Sequence, residues 1–243
     1  MADRQPPSGT TVDASTSSPS PTRQQAATEL GVFLFLIVPS LAISLFVTQQ
    51  LSVGFVLLAI STILRDLALV SLVLYFLWRN GEPRWKIGWT WRQFWQNVAL
   101  GVVLFVPFLV VVTLLELAFR ALGLSAPPAN LPSYLSPSGG LQLALGAVLV
   151  IVVAVAEETI FRGYLILRFG QLTNNVIVAV LVSAFIFSLG HGYEGSAGVA
   201  TVGLVGVALG FLYVWRGSLV APMVMHFLLD FIGIVLAPLL GLR

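Results

Sequence analysis

Cysteine is absent from the 243 residues, which excludes disulfides, thiolate metal sites and a cysteine nucleophile. Charge is scarce: Asp, Glu, Lys and Arg make up 9% of the chain, against roughly 25% in a soluble globular protein. Histidine occurs twice, at His191 and His226, so any imidazole chemistry falls to those two positions. What fills the chain instead is apolar. Hydrophobic residues make up 58% of it, the mean hydropathy is +0.97, and several apolar runs reach about 18 residues or more, the length that crosses a bilayer. The fold class this defines is all-α, a polytopic transmembrane helical bundle. The net charge of +2 and the pI near 9.3 do not point to nucleic acid. With so few charges, that balance reflects which loops face which side of the membrane.

Residues 1–28, rich in Ser, Thr, Pro and Gln, cannot bury enough apolar surface to fold alone and read as a disordered cytoplasmic tail. No signal peptide is apparent, and the first apolar run reads as a retained span. About seven spans are expected, over 30–48 with a kink at Pro39, 52–78, 96–119, 140–162 with an extension toward Phe169, 175–191, 197–215 and 218–240. Residues 29–135 form N-terminal transmembrane helices, and 136–243 form a core whose last four spans hold the candidate chemistry. Between the second and third spans Trp85, Trp89, Trp91 and Trp95 suit a segment at headgroup level, and a Pro/Ser/Gly loop fills 125–139. Lys and Arg concentrate in the tail, in 79–95, at Arg168 and at Arg216, which sets the N-terminus in the cytoplasm and the C-terminus outside. Gly198, Gly203, Gly206 and Gly210 in the sixth span read as a close-packing face.

Ionisable residues inside spans are costly and mark function or helix pairing. Arg65 and Asp66 fall mid-way along the second span. As neighbours they point about 100° apart, so each is expected to be tied to other helices rather than to the other. Glu116 and Arg120, at i,i+4, form an interfacial pair. The densest group is Ala156-Glu157-Glu158-Thr-Ile-Phe-Arg162-Gly-Tyr164. Glu158 and Arg162 stand at i,i+4 with the acid first, the favourable order for an ion pair. Glu157 faces elsewhere and is free to take a proton from water in a poorly solvated pocket. On these residues alone, catalytic carboxylates and an ion-pair cluster that locks helices together both remain open. His191 closes Phe187-Ser-Leu-Gly-His191, and His226 opens His226-Phe-Leu-Leu-Asp230, where i,i+4 spacing puts the carboxylate on the imidazole's face. Two histidines with carboxylates could hold a zinc ion or position a water directly. The depths do not agree, however. From the inner ends of these spans Glu157 and His226 lie about 8–11 residues deep and His191 about 16–17, a mismatch near 10 Å at about 1.5 Å per residue.

The three motifs together resemble those of the CPBP family, the CAAX-protease and bacteriocin-processing (Abi-type) group of intramembrane endopeptidases. Glu157-Glu158-x-x-x-Arg162 is similar to its Glu-Glu-x-x-x-Arg motif, Phe187 to His191 to its Phe-x-x-x-His motif, and His226 to Asp230 to its His-x-x-x-Asn/Asp motif. The match spans about residues 140–235. The resemblance implies hydrolysis of peptide bonds in membrane-associated or prenylated, CAAX-like substrates. Glu157 would activate water, His191 would orient it or ligate a metal, His226 and Asp230 would steady the oxyanion or complete a ligand set, and Glu158 and Arg162 would hold the site in shape. A zinc ion on His191 and His226 and metal-free water activation both stay open. The implied partners are a peptide or protein substrate and the lipid bilayer, and the implied location is a bacterial plasma membrane. The alternative is a proteolytically silent relative acting as a membrane scaffold or bacteriocin self-immunity protein.

Overall fold

The computed structural model of the protein describes residues 21–44, 54–125 and 137–241. The expected tail up to residue 20 and most of the loop over 125–139 lie outside the described residues, as does the junction of the first two spans. The helices are α1 (Arg23–Ser44), α2 (Phe55–Arg79), α3 (Phe94–Ala121), α4 (Gly140–Thr173), α5 (Val176–Leu189), α6 (Gly195–Arg216) and α7 (Val220–Leu239). Among the described residues there is no strand. Five of the helices are long and apolar enough to cross a membrane, and α5 is shorter. This is the all-helical polytopic bundle expected, because in lipid each backbone N–H and C=O must find its partner within its own segment.

The outer surface agrees with that solvent. Along α3 only Asn97, Gly101 and Phe105 are buried, while Val102, Val103, Val106, Val110, Leu114 and Leu117 are exposed. In water such a patch would drive association; in a bilayer it is the face turned to acyl chains. The chain is an integral membrane protein. Helix association then rests on close packing and polar contacts rather than on burial alone. The small face of α6 meets α5 in this way. A Cβ added to Gly210 would lie 2.8 Å from Val180 Cγ1, and one on Gly206 3.0 Å from Ala184 Cβ.

Two boundaries differ from the expected ones. Helix α1 starts at Arg23 rather than near residue 30, because Thr22 and Gln25 cap it reciprocally. Gln25 N–H donates to Thr22 Oγ1 (3.2 Å) and Thr22 N–H to Gln25 Oε1 (2.9 Å), a capping box. The helix also runs on through Pro39. Helix α4 continues past Arg162 and Phe169 to Thr173, and ends where Asn174 turns left-handed (φ 52°) and Asn175 Oδ1 caps α5 by accepting from Ile177 and Val178. Glu157 is therefore 16 residues from the end of its helix, and His191 is 16 residues from the Asn175 cap. The depth mismatch between these two disappears.

His226 reaches the same level by another route. The connection between α2 and α3 folds inward instead of lying flat at the headgroups. Its Ile87 is buried, Gly88 O accepts from Leu219 N–H (3.1 Å), and Trp89 Nε1 donates to Thr159 Oγ1 of α4 (3.0 Å). Trp85, Trp91 and Trp95 are exposed, as a headgroup position requires; Trp89 is not. Gly163 lets this wedge approach α4, since a Cβ there would sit 2.8 Å from Ile87 O and 3.3 Å from Leu219 Cδ1. Gly163 is six residues after Glu157 and Leu219 seven before His226, so the contact levels Glu157 with His226.

Below the wedge lies a buried charge cluster. Arg168 Nη2 meets Glu82 Oε2 (2.6 Å) and Glu29 Oε2 (3.1 Å). Glu29 also takes Arg79 (2.5 Å) and Asn80 (2.8 Å), and Lys86 joins Glu82 at 3.3 Å. This cluster ties α1, α2, the connection and α4 into one unit.

Candidate active site

Immediately after Glu157 the α-helical turn of α4 widens, and Glu158–Leu165 runs as a π-helical stretch. A second such stretch, Phe231–Leu236, begins immediately after Asp230 in α7. Wide turns of this kind gather at functional sites, because the inserted residue redirects side chains and loosens the backbone ladder. The first is supported from α5, where Ser183 Oγ donates to the Phe161 carbonyl (2.5 Å).

His226 stands at the centre, buried on α7. Its Nδ1 is 2.8 Å from Glu158 Oε1; its Nε2 is 3.8 Å from Glu157 Oε2 and 3.5 Å from Asp230 Oδ2. Neighbouring Glu157 and Glu158 were expected to face apart. They meet the same imidazole, one at each ring nitrogen, because the ring lies between them. Glu158 is fully buried at 0% exposure, and its Oε1 is also 3.0 Å from Arg162 Nη1. That contact is between charges and is not an aligned hydrogen bond: Glu158 Oε2 and both Arg162 Nη atoms lack hydrogen-bond partners. Glu157 retains 17% side-chain exposure, and its Oε2 is buried without a hydrogen-bond partner. Asp230 is the most open of the three carboxylates, with 28% side-chain exposure.

Phe187 is the hub that the motif only hinted at. The Arg162 guanidinium lies 4.2 Å from its ring centre, His191 lies tilted against it at 4.8 Å and His226 meets it edge-on at 6.1 Å. His191 Nδ1 is 3.2 Å from Phe187 O. A carbonyl only accepts, so Nδ1 carries the proton there and Nε2 remains available. His191 thus joins the group through Phe187, and Asp230 and Glu194 lie within its electrostatic reach. Of the six expected site residues, five contact one another directly: Glu157, Glu158, Arg162, His226 and Asp230.

The other in-span charges resolve more simply. Glu116 and Arg120 pair as expected. Arg65 and Asp66, expected to find partners on other helices, pair with each other instead, Arg65 Nε to Asp66 Oδ1 at 2.9 Å. The long arginine side chain curls back over the angle that separates the two Cβ directions. Sequence reasoning missed Asp66 as a neighbour of the site. It is buried in α2 within electrostatic reach of Glu157 and His226, and its only sequence signal was a carboxylate in mid-span.

Among the described residues no three His, Asp or Glu side chains come close enough together to hold an ion. The Nδ1 of His191 is engaged with a carbonyl and that of His226 with Glu158. Both Nε2 atoms are thereby left free, an arrangement that metal-ligating histidines share; no step below runs through a metal.

Residues 139–232 match the family model described as Rce1-like, type II CAAX prenyl endopeptidase Rce1-like. A curated relative, the uncharacterized protein YpbD of Bacillus subtilis (strain 168), is 29% identical over 111 residues, which are 41% of this chain and 53% of that protein. The chain thus spans about half the length of the curated relative it matches. No solved structure gives a significant match.

Proposed function

From the Rce1-like domain that this chain carries at residues 139–232, we propose that the protein is an intramembrane endopeptidase that hydrolyses peptide bonds with a water activated by Glu157. The observation that carries the reading is the grip on His226. With Nδ1 held by the buried Glu158, Nε2 is turned to Glu157 and Asp230, and Glu157 Oε2 is left without a hydrogen-bond partner. An unsatisfied buried carboxylate beside an oriented imidazole is what general-base catalysis needs.

The steps balance within these side chains. Glu157 takes one proton from water as the water oxygen bonds to the scissile carbonyl carbon. His226, oriented by Glu158 and Asp230, holds the resulting oxyanion through a hydrogen bond from Nε2–H and keeps its proton. As the C–N bond breaks, the proton on Glu157 passes to the leaving nitrogen, and a carboxylic acid and an amine leave, the acid then giving its proton to the amine. His191 presents Nε2 to the water or to the substrate backbone. Arg162 neutralises Glu158 and fixes Phe187.

The substrate class is a membrane-associated peptide, prenylated or CAAX-like. A groove of about 340 Å³ between α3 and α6, lined by Leu104, Pro107, Phe108, Leu204, Ala208 and Met225 among others, supports a lipidated substrate, since Met225 directly precedes His226. The distribution of Lys and Arg supports a cytoplasmic N-terminus.

The test uses purified protein in lipid nanodiscs and a panel of prenylated and unprenylated peptides. Wild type should cleave, and Glu157→Gln should lower the rate by about 10²–10⁴-fold while staying folded. Chelators should leave the wild-type rate unchanged. Undiminished cleavage by Glu157→Gln rejects Glu157 as the base, and loss in Glu158→Gln alone means that the two carboxylates have exchanged roles. A wild type that cleaves nothing in the panel favours the silent-scaffold alternative.

A further inference from the structure

One buried carboxylate beside the site has no part in that mechanism. Asp66 sits in mid-span on α2 and is 1% exposed. Arg65 Nε donates to its Oδ1 (2.9 Å), while its Oδ2 is buried with no hydrogen-bond partner. Helix α2 packs along α4, and the charged groups within reach of Asp66 are Glu157 and His226 in addition to Arg65. Glu157 Oε2 is likewise buried and unpartnered. Two carboxylates on two packed helices thus each keep a buried, unsatisfied oxygen.

A structural role explains this poorly. Arg65 is half exposed, with 49% of its side chain accessible, and does not need Asp66 to be tolerated at the helix surface. A buried carboxylate near another carboxylate opposes folding, by desolvation and by like-charge repulsion. Buried acceptors that lack a protein donor are ordinarily satisfied by water, and a water between two carboxylates donates one hydrogen to each.

We propose that Asp66 is a further catalytic residue, whose Oδ2 accepts the second hydrogen of the water that Glu157 deprotonates. The inference rests on the peptidase reading above. The first hydrogen passes to Glu157 and on to the leaving nitrogen. The second stays on the oxygen that becomes part of the new carboxyl group. Asp66 takes no proton in this step; with its Oδ1 held by Arg65, its Oδ2 aims the water's lone pair at the carbonyl carbon.

The test compares wild type, Asp66→Asn, Asp66→Glu and Glu157→Gln as full-length protein in nanodiscs, on the peptide that wild type cleaves fastest. Asp66→Asn keeps the shape but turns part of the acceptor into a donor. It should lower kcat by about 10–100-fold with KM within about twofold, and Asp66→Glu should recover part of that loss. The Tm of Asp66→Asn should equal or exceed that of wild type, because a repulsive charge has gone. Wild-type kcat in Asp66→Asn overturns the assignment. So does a Tm several degrees below wild type, which marks the pair with Arg65 as structural and needs no substrate to detect. If wild type cleaves, Glu157→Gln does not and Asp66→Asn does, this assignment alone fails and the peptidase reading stands.

Discussion

Glu158 shares a single oxygen between two partners, Arg162 at 3.0 Å and His226 at 2.8 Å. Both partners sit on the Phe187 ring, so a change at any of the four is felt by the others. Arg162→Ala takes from Glu158, at 0% exposure, its arginine partner and leaves only His226, a defect of up to about 3–5 kcal/mol when one partner of a buried pair is removed. The expected outcome is loss of folded protein in detergent, read as a lowered Tm and poor recovery. Arg162→Lys, which keeps the charge but not the planar stack, should restore part of it. Normal Tm and activity in Arg162→Ala would make the pair incidental.

Among the elements, the wedge between α2 and α3 and the long α4 decide where the chemistry sits. Gly163 is the contact between them, and the atom facing it is the backbone oxygen of Ile87 at 2.8 Å from a built Cβ. A carbonyl held by the chain cannot swing aside as a side chain can. Gly163→Ala should therefore destabilise by about 1–3 kcal/mol and shift His226 relative to Glu157, seen as a lower Tm together with a lower kcat. These elements also mark what the sequence could and could not disclose. The spans and the paired motifs were legible because a charge in an apolar run stands out, and because i,i+4 spacing translates directly into helix faces. The continuation of α4 was hidden because Arg162, Gly163 and Arg168 read as the end of a span, whereas Glu82 and Glu29 neutralise Arg168 from distant parts of the chain. The early start of α1 was missed, because its capping box, Thr22-Arg-Gln-Gln25, lies inside a polar stretch that reads as a disordered tail. The convergence of both glutamates on one imidazole was not legible. It depends on where α7 places the ring, and spacing within α4 carries no information about that.

At the scale of the whole molecule, the buried charge cluster sets the acid limit of stability. Burial alone would raise the Glu82 carboxyl, but the hydrogen bond and charge of Arg168, with Lys86, outweigh it and hold it below its ordinary 4.5. A depressed carboxyl contributes stability that is fully present above its unfolded value and is lost as pH falls through its folded value. Tm should therefore be flat above about pH 5 and fall on acidification below about 4.5, and Glu82→Gln should lower the plateau and flatten that acid slope. The same cluster bears on how the chain divides. Arg168 lies inside the segment that matches a family, 139–232, yet Glu29 and Glu82, which neutralise it, lie outside that segment. Residues 136–243 expressed alone would carry a bare guanidinium on the face that α1 and the wedge now cover, and should aggregate. Co-expressed with residues 1–135 they should assemble and regain any peptidase activity. The borders of heredity and of cooperativity then fall at different places, and the first half of the chain is to the rest what one subunit of an obligate heterodimer is to the other, joined to it by a peptide bond.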